Sequence, residues 1–165
     1  MRLHEEEAMK TIKAISEIAQ KEYAVQVAME MLERDVMTTQ FQFENGPNQS
    51  CKLCKDLNGL VYNLEEFMVR VQLLKMNPYI KNFFEKLLEI EKIIKYSVEI
   101  LIEFECLQRS WLYLQSIFSQ NLLSDALSYE MDLWQNIDSF FKSTVRSFIE
   151  VPLVHKIVGR EGFIS

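Results

Sequence analysis

Two rows of apolar residues repeat every seven positions between residues 79 and 118, and they constrain the fold more than any other feature of this sequence. One row is Ile80, Leu87, Ile94 and Leu101; the other is Phe83, Ile90, Ser97, Phe104, Trp111 and Phe118. This spacing predicts one long helix, from about Tyr79 to Phe118, whose apolar face must be covered along its whole length. Further apolar residues widen that face, so the pattern favours a helical bundle over a two-stranded coiled coil.

Three other segments have the three- and four-residue spacing of amphipathic helices. They run from about Glu5 to Met37, from Lys55 to Lys75 and from Ser128 to Phe148. The stripe of the first consists of Ala8, Ile12, Ile15, Ala19, Val25, Met29, Leu32 and Val36. Proline disfavours helix at the preceding residue, so Asn77-Pro78 should end the second helix. The run 119–121, Ser-Gln-Asn, is typical of a helix break and cap.

Between the first two helices the periodicity changes from helical to alternating. Phe41 and Phe43 alternate with glutamines, a turn-forming cluster occupies positions 44–48, and Cys51 and Leu53 alternate beyond it. This pattern predicts a short β-hairpin at about 40–54. Glycine (4) and proline (3) are scarce in the chain as a whole. The predicted fold is therefore all-α, an elongated helical bundle with one long helix and a short hairpin, over residues 1–150. Residues 151–165 are expected to form a tail that continues into further sequence.

Charge and composition exclude several classes of function. Hydrophobic residues make up 48% of the chain, which is enough for a packed core. The net charge of −6 disfavours binding to nucleic acid, and direct contact with the acidic surface of a microtubule for the same reason. Three cysteines do not form a disulfide framework, so a reducing intracellular compartment is expected. The first residues lack the apolar core of a signal peptide, and the most apolar stretch carries too many charges to cross a membrane.

Motifs that would indicate catalysis, a cofactor or a metal are weak. Cys51 and Cys54 have the spacing of half a zinc site, but the other potential ligands, Cys106, His4 and His155, are distant from them in sequence. Neither glycine-rich phosphate-binding motif occurs. The glutamate clusters are typical of solvated helix faces. The sequence therefore predicts no enzyme activity, no cofactor and no metal.

A dense set of aromatic residues follows the middle of the long helix. It comprises Trp111, Tyr113, Phe118, Trp134, Phe140 and Phe141. Such a set could bind a partner, but its helical spacing favours a place in the core. Tyr113 lies two positions from Trp111 and should fall off the main stripe.

The segment from Gln108 to Ser119, QRSWLYLQSIFS, resembles the Q-x-x-W-L-Y-L-E-P-I-F-S signature of dynein heavy chain linkers. The leucine after the tryptophan is more similar to axonemal than to cytoplasmic chains. The residues that carry the family signature are Gln108, Trp111, Leu112, Tyr113, Leu114, Ile117, Phe118, Glu130, Trp134 and Asp138.

The resemblance extends in the same order over residues 15–148. Further positions that align with the family pattern are Ala19, Lys21, Glu22, Tyr23, Phe41, Phe43, Gln72, Asn77-Pro78-Tyr79, Leu127, Ile137 and Phe141, and the later proline of the pattern is replaced by Ser128. Tryptophans typical of the family are replaced by Val36, Ile90, Phe104 and Phe141, and its Glu-Pro after W-L-Y-L by Gln115-Ser116. The tryptophan replacements keep apolar character, so the fold should survive them.

The resemblance implies a mechanical role. Dynein linkers are helical arms that lie across a ring of AAA+ modules and bend as the ring passes through its ATP states. By this resemblance the partners are the motor ring and tail of the same heavy chain and, indirectly, the dynein intermediate and light chains. The location would be cytoskeletal, with the ciliary axoneme favoured. The alternative from the residues is a standalone helical module that docks onto dynein or another helical partner.

Overall fold

The computed structural model describes residues 1–120 and 128–158. Within them the elements are α1 (Arg2–Thr38), β1 (Gln42–Asn45), β2 (Lys52–Lys55), α2 (Leu57–Lys75), α3 (Phe84–Phe118) and α4 (Ser128–Glu150). Short 3₁₀ turns lie at Pro47–Gln49, Lys81–Phe83 and Val154–Ile157. The predicted all-α fold with one long helix and a hairpin is confirmed, and each helix begins and ends within a few residues of its predicted position. Leu127 and Asn121 lie outside the described residues.

Helix α3 is the axis of the molecule. Its 35 residues span about 52 Å at the rise of an α-helix. Leu87, Ile94 and Leu101 are completely buried, and Ile90, Phe104 and Trp111 of the second row are nearly so. The predicted rows therefore form the core of the protein along α3.

Helix α2 lies antiparallel to α3 and covers its middle. Gln72 and Lys75, at the end of α2, contact Glu91, whereas the segment just before α2 contacts Gln108. Asp56 caps the start of α2 in a left-handed conformation (φ 50°), and its Oδ1 accepts a hydrogen bond from the Gly59 backbone N–H. A Cβ at Gly59 would collide with the Asp56 carboxylate, so any other residue there would displace the capping side chain.

The hairpin packs against the bundle through its second strand. β1 and β2 pair antiparallel, with Phe43 opposite Cys54. Leu53 and Cys54 are buried, and Phe41, just before β1, stacks on Phe148 of α4 at 4.6 Å between ring centroids. An isolated two-stranded sheet is marginal in water, so these contacts explain why the hairpin is formed.

After α4 the chain returns to the end of α1. The backbone N–H of Phe41 donates to the Pro152 carbonyl oxygen at 2.9 Å, and that of Val154 donates to the Thr39 carbonyl oxygen at 3.0 Å. These bonds flank an antiparallel pair formed by Gln40 and Leu153. We call this contact between residues 39–41 and 152–154 the clasp. Val154 and Ile157 are 1% exposed, so the described part of the predicted tail is packed on the bundle.

Helix α1 has two different halves. Val25, Met29, Leu32 and Val36 are buried, and ion pairs from Glu33 to Lys86 and from Asp35 to Arg70 tie this half to α3 and α2. Every residue from 1 to 24 is exposed. The predicted helix is confirmed, but the predicted apolar stripe is covered in its second half and open to solvent in its first.

Two methionines on α1 test this division. Met29 is 2% exposed and Met9 is 59% exposed. Met29→Ala should lower the free energy of unfolding by about 2–5 kcal/mol, because it leaves a cavity in a packed core. Met9→Ala should change it by less than about 0.5 kcal/mol. Urea denaturation of both variants measures the difference, and equal losses would show that the first half of α1 is packed in solution.

Candidate functional site

The predicted signature residues lie on the last turns of α3 and on the facing part of α4. Trp111 is 1% exposed and stacks on Phe141, with 4.5 Å between ring centroids. Its indole Nε1–H donates to Asp138 Oδ1 at 2.9 Å. The second carboxylate oxygen of Asp138 pairs with Lys142 Nζ, also at 2.9 Å. The structure thus brings Trp111 and Asp138, both predicted signature residues, into direct contact.

Local sequence explains this arrangement. Trp111 continues the seven-residue row of α3, which directs its ring into the core. Trp134, Asp138 and Phe141 are spaced four and three apart on α4, so they share the face that meets this ring. A buried indole N–H needs an acceptor, and Asp138 supplies one without leaving its own charge unpaired.

One helical turn before Trp111, Gln108 connects α3 to the hairpin. Its amide Nε2 donates to the Cys54 carbonyl oxygen, and its Oε1 accepts from the Cys54 backbone N–H, both at 2.9 Å. The side-chain amide therefore satisfies both backbone groups of a strand residue that has its partner strand on the other side. Gln108 and Trp111 together fix α3 to two different elements, β2 and α4.

The other predicted signature residues are less buried than Trp111. Phe118 stacks on Trp134 at 5.3 Å, and Leu112 packs against the core while partly exposed. Leu114 and Ile117 are half-buried, whereas Tyr113 is 68% exposed, as its position off the stripe predicts. Glu130 is exposed on the first turn of α4. Of the aromatic set, Trp111 and Phe141 belong to the core as predicted, but Phe140 is 56% exposed.

Two thiols, those of Cys51 and Cys54, lie beside this cluster. Burial raises the pKa of the Cys54 thiol to about 12 and also raises the pKa of Cys51, so both thiols stay protonated at neutral pH. In the described ranges no group of three or more His, Cys, Asp or Glu side chains is placed to hold a metal ion. The helices of those same ranges include none that is long and apolar enough to cross a membrane.

Comparison with known proteins shows the family to which the chain belongs. Residues 1–165 match the family model described as dynein heavy chain, N-terminal region 2. The chain belongs to the dynein heavy chain family. Val36, Ile90, Phe104 and Phe141, the four positions at which the resemblance implies a replaced tryptophan, are all at most 3% exposed, so each of these apolar side chains belongs to the core.

Individual relatives include both axonemal and cytoplasmic dyneins. The chain is 28% identical to dynein axonemal heavy chain 1 of Homo sapiens over 142 residues, which is 86% of this chain. It is 27% identical to cytoplasmic dynein 2 heavy chain 1 of Rattus norvegicus over 135 residues, or 80% of this chain. It is 28% identical to cytoplasmic dynein 2 heavy chain 1 of Tripneustes gratilla over 121 residues, or 73% of this chain. In each case the matched region is 3% of the relative's own length.

Truncation of Trp111 tests the centre of the dynein signature. Trp111→Ala should lower the free energy of unfolding by about 3–5 kcal/mol, because it removes a buried aromatic and leaves Asp138 without its indole donor. Tyr113→Ala on the same helix is the control and should change it by less than about 0.5 kcal/mol. Thermal and urea unfolding of both variants measure the difference; an unchanged Trp111→Ala melting temperature would contradict the packing described.

The Gln108 contact has a separate test. Gln108→Ala should lower the free energy of unfolding by about 1–3 kcal/mol, since two backbone groups of Cys54 lose their partners. The exchange rate of the Cys54 amide hydrogen should rise more than those of the other hairpin amides. Gln115→Ala, seven residues later on α3, is the control. Unchanged exchange at Cys54 in Gln108→Ala would show that the contact is absent in solution.

Proposed function

We propose that this chain is a force-transmitting linker segment of a dynein heavy chain, part of a microtubule-based motor. The observation that supports it most is the buried face of α3, which is covered from Leu87 to Trp111 in a chain of this family. A helix packed along most of its length resists bending, because its side chains interdigitate at near-crystalline density. Such an element moves as a rigid body and passes displacement on rather than absorbing it.

Three elements cover α3 in succession. Lys86, in its first turn, is paired with Glu33 of α1, and Glu91 is paired with Lys75 of α2. Farther along, Phe104 and Trp111 stack on Phe141 of α4. Because the contacts with α1, α2 and α4 follow one another along α3, both ends of α3 are held in one packed bundle. This favours a stiff arm over a flexible tether.

The proposed partners are the AAA+ motor ring and the tail of the same heavy chain, with dynein intermediate and light chains involved indirectly. ATP hydrolysis and microtubule attachment would belong to other parts of the heavy chain, and this segment would contribute no catalysis. The net charge of −6 supports a position away from the acidic microtubule surface. The names of the axonemal and cytoplasmic dynein 2 relatives support a cytoskeletal location, and an axonemal one in particular.

A second candidate function is a standalone helical module that docks onto dynein or another helical partner. Exposed apolar residues favour it: Ile12, Ile15 and Ile18 on α1 are at least 46% exposed, and Tyr129, Leu133 and Phe140 on α4 at least 45%. Faces of this kind are typical of surfaces that another element covers.

A motor assay tests the linker proposal. In a dynein heavy chain that contains this segment, Trp111→Phe should lower the velocity of microtubule gliding while leaving the ATPase rate within about twofold, because it loosens the arm without touching the ATP sites. Tyr113→Phe, an exposed aromatic change two residues away, is the control and should glide at the wild-type velocity. Equal velocities for both variants would contradict a mechanical role.

The molecular mass of the protein in tissue distinguishes the standalone module from a linker segment. An antibody against this chain, used on a denaturing immunoblot of source tissue, should detect a heavy-chain band far above 19.5 kDa if the linker proposal is correct. A single band near 19.5 kDa would favour the docking module.

A further inference from the structure

The clasp joins the backbone just after α1 to the backbone just after α4. On one side, α1 runs through its packed half, Val25–Val36, directly into Thr39. On the other, the 3₁₀ turn Val154–Ile157 follows Leu153 without an intervening residue. Two backbone hydrogen bonds, of 2.9 and 3.0 Å, connect these sides. Residues 41–152, which include the hairpin, α2, α3 and α4, therefore form a loop that the clasp closes at its base.

The direction of the paired strands determines how tension would act on the clasp. Residues 39–41 and 152–154 are antiparallel, so the chain before Thr39 and the chain after Val154 leave from the same end of the pair. Tension between them loads the Val154 N–H to Thr39 bond before the Phe41 N–H to Pro152 bond. Hydrogen bonds loaded one after another resist less than bonds loaded together, so side-chain anchors beside the first bond matter most.

Those anchors are present on both sides. Val154 and Ile157 are 1% exposed, and their turn packs against α1 and α3. Phe41 is 4% exposed and stacks in parallel on Phe148 at 4.6 Å. Thr39 is held by its own hydroxyl, which donates to the Asp35 carbonyl oxygen at 2.7 Å. The clasp is thus fixed to the bundle at each strand.

We propose that the clasp, anchored by Val154 and Ile157, carries the tension across this segment, so that the loop of residues 41–152 stays outside the line of force while the clasp is closed. This inference rests on the proposed linker function for its relevance, but its geometry belongs to the chain itself. In this arrangement the bundle supports the clasp through the buried side chains of Phe41, Val154 and Ile157. The stability of the bundle determines how long the clasp holds, and α2, α3 and α4, which lie inside the loop of residues 41–152, are not stretched.

Single-molecule pulling on the 165-residue chain, with handles at both ends, tests the proposal. Val154 and Val71 are matched positions, since both are buried valines at 1% and 0% exposure, one beside the clasp and one on α2. Without load, Val154→Ala and Val71→Ala should lower the urea midpoint of unfolding to a similar extent. At constant force, Val154→Ala should raise the unfolding rate roughly tenfold, and Val71→Ala less than about threefold.

Two outcomes would overturn the inference. One is an unfolding rate under force that rises at least as much in Val71→Ala as in Val154→Ala, which would mean that the bundle shares the tension. The other is an unchanged rate in Val154→Ala despite a lowered urea midpoint. The pulling assay contains no motor, so either failure leaves the gliding test of the linker proposal intact. Conversely, unaltered gliding would reject the linker function without bearing on the pulling result.

Discussion

The buried face of α3 must be covered over about 36 Å, from Leu87 to Trp111, and most of the structure is arranged to meet that requirement. A single partner helix of the length of α2, 19 residues, is too short to do so. The chain therefore uses three segments in turn, with α1 near the start of α3, α2 along its middle and α4 near its end. Each segment must then be held at the correct axial position along α3, because a wide apolar face alone would allow the segment to slide along the helix.

Polar contacts determine the axial position of each segment along α3. Hydrophobic contact is non-directional, whereas a hydrogen bond to a buried group has one geometry that satisfies it. The hydrogen bond from the Trp111 indole to Asp138 can form at only one axial position of α4. The hydrogen bonds between Gln108 and Cys54 can likewise form at only one position of the hairpin. A shift of α4 by one turn, about 5.4 Å, would leave the indole N–H buried without an acceptor. The predicted signature residues thus combine packing side chains with two polar contacts, Trp111 to Asp138 and Gln108 to Cys54, that define register.

Sequence periodicity predicted the bundle because the rows of α3 and the stripe of α2 describe surfaces that are in fact buried. It did not separate the halves of α1, because both halves have three- and four-residue spacing, and only the gap between Ala19 and Val25 marks the change from the exposed stripe to the buried one. The clasp was missed for another reason: its bonds join backbone atoms of Thr39, Phe41, Pro152 and Val154, and backbone pairing leaves no side-chain pattern. At the site, the burial of Trp111 could be predicted from its place in the seven-residue row of α3. The importance of Gln108 came from family resemblance, because a glutamine on a helix gives no sign that it binds a strand.

The two halves of α1 also differ in the direction of their apolar faces. The steps from Ala8 to Ile12, Ile15 and Ala19 would next reach positions 22 and 26, which are glutamate and glutamine. The buried stripe instead resumes at Val25, one residue out of phase, which rotates it by about 100° around the helix axis. α2 and α3 cover the second face, so the first, turned about a quarter of the circumference away, cannot be covered by extending the same two helices. The phase shift therefore makes α1 an element with two apolar faces of different direction, one packed on this bundle and the other pointing away from it.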